Sequence, residues 1–430
     1  MTDKLTNTQT ILSQDKSETA SSTASGNLKV DVFDSFDELA PMQQEWDNFV
    51  ESVGSEIFLT YDWCRIWWKY YGKNRTLKVF VFRINNELLG IIPLFFEKIW
   101  LGPVPIRAVK IVGTDFTINT VSPPIRPAVL EPVVQELLTR LCNDYKWDIV
   151  HIGPLSGIYR SAELTGACGQ FLPPSFCIRE RSNGFQAYLW LADSWEGHLK
   201  SLSKNMQRTI KRSYRDIAQI PSDKPQLLDD FAKPDNCEQI FDSFVRLHQQ
   251  HWQKLGKLGH FADWPTAIEF HREMATTQAM HNRLRLLELK FGNYILGYEY
   301  DYKFASRRHA FLNARTPLDQ IPGADPGTSL GIIVFSEQVK NAIEEKVDYI
   351  DLMPGNDEYK LHLGGKLRPT RSIYIFPKKL STFIRVSIFR ALSSLLDLFY
   401  YRIWFCRLAA KLPLKRKPLW KIWIKTRFFS

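Results

Sequence analysis

Apolar positions along the chain follow two rhythms, a strand-like alternation and a helical spacing, and the same succession of the two occurs twice. From Leu28 the run Leu-Lys-Val-Asp-Val-Phe alternates as a short strand does. After Ser35 the apolar residues Phe36, Leu39, Met42, Trp46 and Phe49 take helical spacing, with Asp37 and Glu38 in the first turn, where the helix dipole favours acids. A second helix, Tyr61 to Tyr71, is dense in aromatics and stops at Gly72. A hairpin follows: a strand over 77–84, a turn at Asn85-Asn86 and a strand over 88–97.

The arrangement returns near residue 238. A helix over 238–254 carries Phe241, Phe244, Leu247, His248, His251 and Trp252. Strands over 284–291 and 294–304 then flank a turn at Gly292-Asn293. FVFRINNELLG at 80–90 lies over LELKFGNYILG at 287–297 without a gap, an offset of 207 residues. A repeat this long predicts a duplicated domain rather than a solenoid. Between the copies, 147–152 reads as a buried strand closing the first unit, and 182–191 as a strand leading into the second. Residues 106–130, with repeated prolines, read as a long loop over the first half. The predicted class is therefore α/β (α+β) in two halves, 28–190 and 191–380, between a disordered leader, 1–27, and a tail, 381–430.

Composition alters this picture in one respect, the tail. Apolar residues are 44% and charged residues 24% of the chain, ordinary for a globular protein. Residues 381–430 carry eleven Lys or Arg against the single acid Asp397, which accounts for the whole net charge of +10. The body is formally neutral. Six cysteines lie far apart with no CxxC pair, so neither a zinc site nor a disulfide framework is expected, and reduced thiols in a cytoplasm are. The leader is polar and lacks the apolar run of a signal peptide. No stretch of about 18 apolar residues predicts a transmembrane helix.

Three segments of the second half, SLSKNMQRTIKRSYRDI at 201–217, the helix end HQQHWQKLG, and DPGTSLGIIVFSEQVKNAIEEKVDYIDLMPGNDEYKLHLG at 325–364, together with FLTYDWCRIWWKYYG early in the first, carry a family resemblance. The chain resembles the acetyltransferase-like proteins of bacterial cellulose and exopolysaccharide gene clusters (the CelD/BcsL type), a branch of the GNAT superfamily. The likeness runs from about residue 30 to 378. Asp325 stands where a Ser commonly precedes the Pro-Gly, and Asp351-Leu352-Met353 where the family usually has Asp-Phe-Gly.

The resemblance implies two GNAT-like halves, with acyl-CoA, acetyl-CoA first, bound in the second, and no metal. It places the coenzyme A pyrophosphate on the turn Pro326, Gly327, Thr328 and Ser329, where backbone N–H groups at a helix N-terminus favour phosphate. Asp325-Pro326 is equally an ordinary helix start. Asp351, ending an apolar strand, is a candidate general base, with Tyr359 as the acid for the leaving thiolate and Lys360 as a phosphate or charge contact. An Asp–Lys pair fixing the loop is the alternative. Glu299 is a second candidate base, because strand alternation puts Glu299, Asp301 and Lys303 on one side and Tyr298, Tyr300 and Tyr302 on the other. Lys204, Arg208, Lys211 or Arg212, and Arg215 share a helix face that would bind phosphates of a nucleotide-sugar, a lipid-linked acceptor or coenzyme A, or else be solvated. His248 and His251 lack further ligands at supporting spacing and are read as surface or core residues, not a metal site.

In the tail, aromatics interleave with the basic residues. A peripheral helix on the anionic inner membrane is the preferred expectation, ahead of RNA binding and of docking onto the body. The function expected is a cytoplasmic acyltransferase acting on an amine or hydroxyl of a sugar or lipid-linked precursor of a surface polysaccharide, with a polysaccharide synthase as a possible partner and nucleic acid not expected. Two rivals stand: a Fem-type peptidyl transferase, whose donor is an aminoacyl-tRNA, and a non-catalytic GNAT-like scaffold.

Overall fold

The computed structural model describes residues 27–117, 120–222, 225–254, 259–409, 411–412 and 419–429. The expected leader lies outside these apart from Asn27. The first half runs β1 (Lys29–Phe33), α1 (Gln43–Ser52), α2 (Tyr61–Tyr71), β2 (Thr76–Ile84), β3 (Glu87–Leu101), β4 (Val104–Ile111), α3 (Leu130–Asp144), β5 (Ile149–Leu155), α4 (Ser161–Phe171) and β6 (Phe176–Trp190). The second runs α5 (Trp195–Ser201), α6 (Lys204–Ala218), β7 (Leu227–Phe231), α7 (Cys237–Lys254), α8 (His260–Asp263), α9 (Ala267–Met280), β8 (Leu284–Phe291), β9 (Tyr294–Phe304), β10 (Arg307–Arg315), α10 (Leu330–Glu344), β11 (Tyr349–Pro354), α11 (Glu358–His362) and β12 (Lys366–Pro377).

The duplication extends to an irregularity. In the first hairpin the register shifts between Phe82 and Arg83 against Gly90 and Leu88, and in the second between Leu289 and Lys290 against Gly297 and Ile295. Each bulge residue lies 207 positions from its counterpart. Asn85 and Asn86 both have positive φ, which suits the tight turn that twist-matched hairpins need.

Among the described residues the twelve strands form one sheet, in the order β1-β2-β3-β4-β5-β12-β6-β11-β10-β9-β8-β7. The order is a palindrome when β1 to β6 are matched with β7 to β12. At its centre the halves exchange strands: β12 pairs antiparallel with β5, and β6 with β11. The tandem α/β halves thus complete each other's sheets.

Two expectations change in detail. The segment 106–130 is not loop throughout: β4 occupies it as far as Ile111, where Ile106, Ala108, Val109 and Ile111 are buried, and of the residues after it 112–117 and 120–126 are loop. Pro103 and Pro105 masked that alternation. The first helix is a 3-10 turn over Asp37–Met42, with Pro41 inside it, before α1 begins.

The tail docks onto the body. It comprises α12 (Leu380–Leu395), a π-helical segment (Leu396–Leu408) and α13 (Trp420–Thr426). Val386 and Phe389 pack with Ile99, Leu101, Ile106 and Ile149, and Phe429 joins them at 1% exposure. Burying that one ring is worth about 2 kcal/mol. Trp420 and Trp423 are buried, and Trp423 stacks on Tyr401 with ring centroids 4.0 Å apart. The tail aromatics expected at lipid headgroups are thus largely used in docking. Its last residues also enter a buried charge network. Arg75 holds both oxygens of Asp115 at 3.0 and 2.9 Å, and Lys110 reaches Asp115 at 3.4 Å and the Lys425 carbonyl at 2.7 Å. Lys425 pairs with Glu97, and Arg427 donates to the Thr117 carbonyl at 2.9 Å. Among the described residues no helix is long and apolar enough to cross a membrane.

Candidate active site

Strands β10 and β11 run parallel only where Arg307, Arg308 and His309 face Tyr349, Ile350 and Asp351, and then part. Asp351 explains the parting. Its carboxylate accepts from the Met353 N–H at 2.9 Å, which closes a bulge in β11, and Met353 takes φ 62°. A non-glycine residue held in that region marks a backbone re-aimed by its surroundings. Gln186 of β6 donates to both Asp351 oxygens at 2.9 and 2.7 Å, and His309 Nδ1 lies 3.2 Å away. Asp351 is therefore buried among donors, outside the cleft that its bulge opens.

That cleft has a volume of about 800 Å³. Glu299, Arg315, Ser329, Gly331, Met353, Tyr359 and Lys360 line it, as do histidines from α7, α8 and α9. From Ala310 onward, the edge of β10 that faces β11 has no ladder partner among the described residues, while its other edge pairs with β9 as far as Arg315. An open strand edge offers N–H and C=O groups to an extended, amide-bearing ligand.

Glu299 sits on β9 opposite Asn313 of β10 and is buried. Among the described residues none donates a hydrogen bond to it. Burial, then Asp301 two residues on, hold its pKa well above the usual carboxylate range, against the pull of Arg315 and Arg308. Asp301 is itself pushed up to about 7 by burial, opposed by Arg308 and by Gln338, whose amide donates to it at 2.5 Å. Both faces of β9 are buried: Tyr298, Tyr300 and Tyr302 turn into the aromatic core on the other side. Tyr359 on α11 is half exposed at the cleft, its pKa raised to about 12 by burial, then by Asp357 and Glu299. It is a protonated hydroxyl at neutral pH. Lys360 is turned onto the loop it follows, 3.4 Å from the Met353 carbonyl, 3.2 Å from that of Pro354 and 3.2 Å from Asp357.

The N-terminus of α10 forms another part of the wall. Ser329 is its N-cap and makes no side-chain capping bond. The preceding turn is closed on itself, because Asp325 accepts the Gly327 N–H at 2.6 Å. Pro326, Gly327 and Thr328 do not line the cleft; Ser329, Gly331 and Ile332 do. Arg315, at the end of β10, lays its guanidinium over Gly331, where an added Cβ would meet Nη1 at 2.4 Å. Lys204, Arg208 and Arg212 are exposed along α6, which packs on α10, and Arg212 reaches the Gly327 carbonyl at 3.4 Å. They stand beside the helix start, outside the cleft.

Arg315, His260 and His271 line the cleft without having been singled out from the sequence, and His248 and His251, expected as surface or core residues, line it too. His248 Nδ1 lies 2.8 Å from the Asn313 carbonyl, an obligate acceptor, so that nitrogen carries the proton. Burial, then His260, lower the His248 pKa to about 3, so the ring is neutral and its Nε2 accepts from His260 Nδ1 at 3.0 Å. His248 and His260 are thereby fixed in tautomer on the cleft wall across β10 from Glu299. Only a lone basic residue ending a strand, and a His-rich helix, could have signalled these positions.

Among the described residues the first half shows a far smaller opening. Val121 bridges to Leu155 and Ile125 to Gly90, and a cavity of only about 20 Å³ there is lined by apolar side chains such as Ile92, Leu94, Ile111, Val134 and Ile152.

Residues 204–361 match the family model of the acetyltransferase (GNAT) domain. The match takes in most of the cleft lining, from Met206 on α6 to Lys360 on α11, but not Thr117, His362 or Leu363. The crystal structure of FemX is similar to this chain with a TM-score of 0.57 and 11% identity, over 80% of this chain and 98% of that one. A conserved protein of unknown function from Bacteroides thetaiotaomicron VPI-5482 gives 0.49 at 12% identity, over 81% and 100%. A tandem GNAT protein from the clavulanic acid biosynthesis pathway gives 0.39 at 11%, over 82% and 99%. At such identities a likeness concerns the fold, and here it is carried by the first of them. No curated protein matches the chain. The chain has a GNAT acyltransferase-like fold in tandem α/β halves, with one half open.

Proposed function

We propose that the second half transfers an acyl group from acyl-CoA, acetyl-CoA first, to an amine or hydroxyl of a sugar or lipid-linked precursor of a surface polysaccharide. The observation that carries the chemistry is Glu299, a buried carboxyl to which no described residue donates a hydrogen bond, facing the same cleft as the Tyr359 hydroxyl. The family resemblance of 201–217 and 325–364 supports the acceptor class. Acyl-CoA fits what the cleft offers: an open β10 edge for its amide-bearing arm, and Arg315 with the N-terminus of α10 for phosphate.

In this reading the acceptor nitrogen or oxygen attacks the thioester carbonyl carbon. Glu299 takes the acceptor's proton as the C–S bond breaks, and Tyr359 protonates the departing sulfur. No covalent enzyme intermediate is needed. The neutral His248–His260 pair positions the acceptor. Asp351 acts by holding the bulge in β11, Lys360 by fixing the loop at 353–357. Thr328 and Ser329 with Pro326 and Gly327 set the start of α10, while Lys204, Arg208 and Arg212 add positive charge beside it for the distal phosphates. The protein would work in the cytoplasm, with residues 381–430 as its contact to the inner membrane.

Calorimetry on the full chain tests the donor. Micromolar binding of acetyl-CoA or a longer acyl-CoA is expected, and Gly331→Val, which displaces the Arg315 guanidinium without demanding positive φ, should weaken it on the order of tenfold or more at unchanged thermal stability. No binding of any acyl-CoA would sink the proposal. One observation favours a second reading: the likeness to FemX covers nearly all of that chain. A Fem-type enzyme would bind aminoacyl-tRNA in the same assay and ignore coenzyme A.

A further inference from the structure

The face that the tail turns away from the body carries an apolar stripe that nothing among the described residues covers. On α12, Leu380, Phe383, Ile384, Ile388, Ala391 and Leu395 are exposed, and at 100° per residue they fall within an arc of about 140°. Directly opposite lie Thr382, Val386, Phe389 and Ser393, all buried against the body. Ser387 and Ser394 are the polar residues inside the arc. Leu398 and Phe399 of the π-helical segment, also exposed, follow on from it. Of the eighteen large apolar residues exposed among the described residues, ten lie between Leu380 and Leu419. Scattered exposed apolar residues are ordinary; a concentration of this kind marks an interaction surface.

Charge decides what covers it. The segment's one acid, Asp397, is taken by Arg402 at 2.7 Å and by the Trp423 indole at 3.0 Å. Arg390 borders the stripe on the helical wheel, and Arg407 and Lys411 follow in the chain; none of the three forms an ion pair among the described residues. A second copy of the chain, paired about a two-fold axis, would bring these cations toward one another. Anionic headgroups would neutralise them while the stripe enters the acyl boundary.

We propose that α12 and the π-helical segment lie in the surface of an anionic bilayer, with the Leu380–Leu395 stripe inserted. This deepens the inner-membrane placement above and rests on that placement, not on the acyl-transfer chemistry. On its other side the tail packs on the cleft wall: Trp420 meets Trp264, and Arg427 holds Thr117, both lining residues. The surface element and the cleft wall are one packed unit, which suits an acceptor carried on lipid.

The test is cosedimentation of the full chain with phosphatidylglycerol–phosphatidylethanolamine vesicles and with phosphatidylcholine vesicles. The double variant Ile384→Glu with Ile388→Glu and the charge variant Arg390→Glu with Arg407→Glu run beside it. Binding to the anionic vesicles is expected, weakened on the order of tenfold or more by either variant. The second pair removes no buried residue, so it reports even where the first disturbs folding. Wild type that stays in the supernatant overturns the proposal. So does sedimentation velocity showing a dimer that the Ile384/Ile388 variant splits. Acyl-CoA calorimetry on the same variants, expected unchanged, separates failure of membrane docking from failure of the chemistry.

Discussion

Replacing Glu299 with Gln is expected to slow acyl transfer about 10²- to 10⁴-fold while leaving acyl-CoA affinity within about twofold, the pattern of a lost general base. The pH profile gives a sharper check. Burial and Asp301 raise the Glu299 pKa well above the carboxylate range. The rate should therefore rise with pH through an apparent value above that range, and the Gln variant should lack this limb. Asp301 titrates nearby and shares the transition, so the limb belongs to the pair. Stability moves the other way. A carboxyl whose folded pKa is raised favours folding while protonated, so its contribution is lost as pH rises from the unfolded value through the folded one. At neutral pH the Gln variant should be at least as resistant to urea as wild type. A variant that keeps its rate would show that Glu299 is not the base; one that unfolds would contradict the burial argument.

The largest effect on stability is expected from Asp115→Asn. Asp115 is fully buried, and its carboxylate meets Arg75 and Lys110. Neutralising it leaves both cations facing Glu97 alone, and breaking such a buried cluster costs about 3–5 kcal/mol. Urea denaturation at neutral pH would read this as a lower midpoint. The opposing cations, Arg75 first, hold the Asp115 pKa below its usual value despite burial. The stabilisation is thus present above the ordinary Asp range and is lost as pH falls through the folded pKa, so the gap between variant and wild type should narrow in acid. Because Lys425 and Arg427 come from the tail, the variant should also expose the final residues to protease before the rest of the chain.

What the sequence disclosed, and what it concealed, follows from the range of the forces involved. Both hairpins were legible because alternation and turn chemistry are local, and the repeat reinforced them. Glu299 was placed on the polar side of its strand by the same alternation, although that side faces the cleft rather than bulk solvent. The strand exchange was invisible: β12 has the pattern of any half-buried strand, and nothing in it says that β5, more than 200 residues earlier, is its partner. Asp351 was misweighed for a related reason. A carboxylate ending a strand reads alike whether it faces substrate or braces a bulge, and only the partners Gln186, His309 and Met353 tell the two apart. The tail was ambiguous because Trp, Tyr and Phe suit a lipid interface and a protein interface equally well; the aliphatic stripe emerges once the docked face is known.

The exchanged strand has a consequence for how the protein is made. When β6 leaves the ribosome, its first residues have no partner but β12, and one side of β5 also waits for it. β12 follows only after nearly the whole second half has been translated, roughly 10–40 s later at about 5–20 residues per second. Throughout that interval one side of β5 and both sides of β6 stay open, a template for pairing with other chains. The cell must therefore shield an unfinished sheet during synthesis, and a truncated first half expressed alone is expected to aggregate rather than fold.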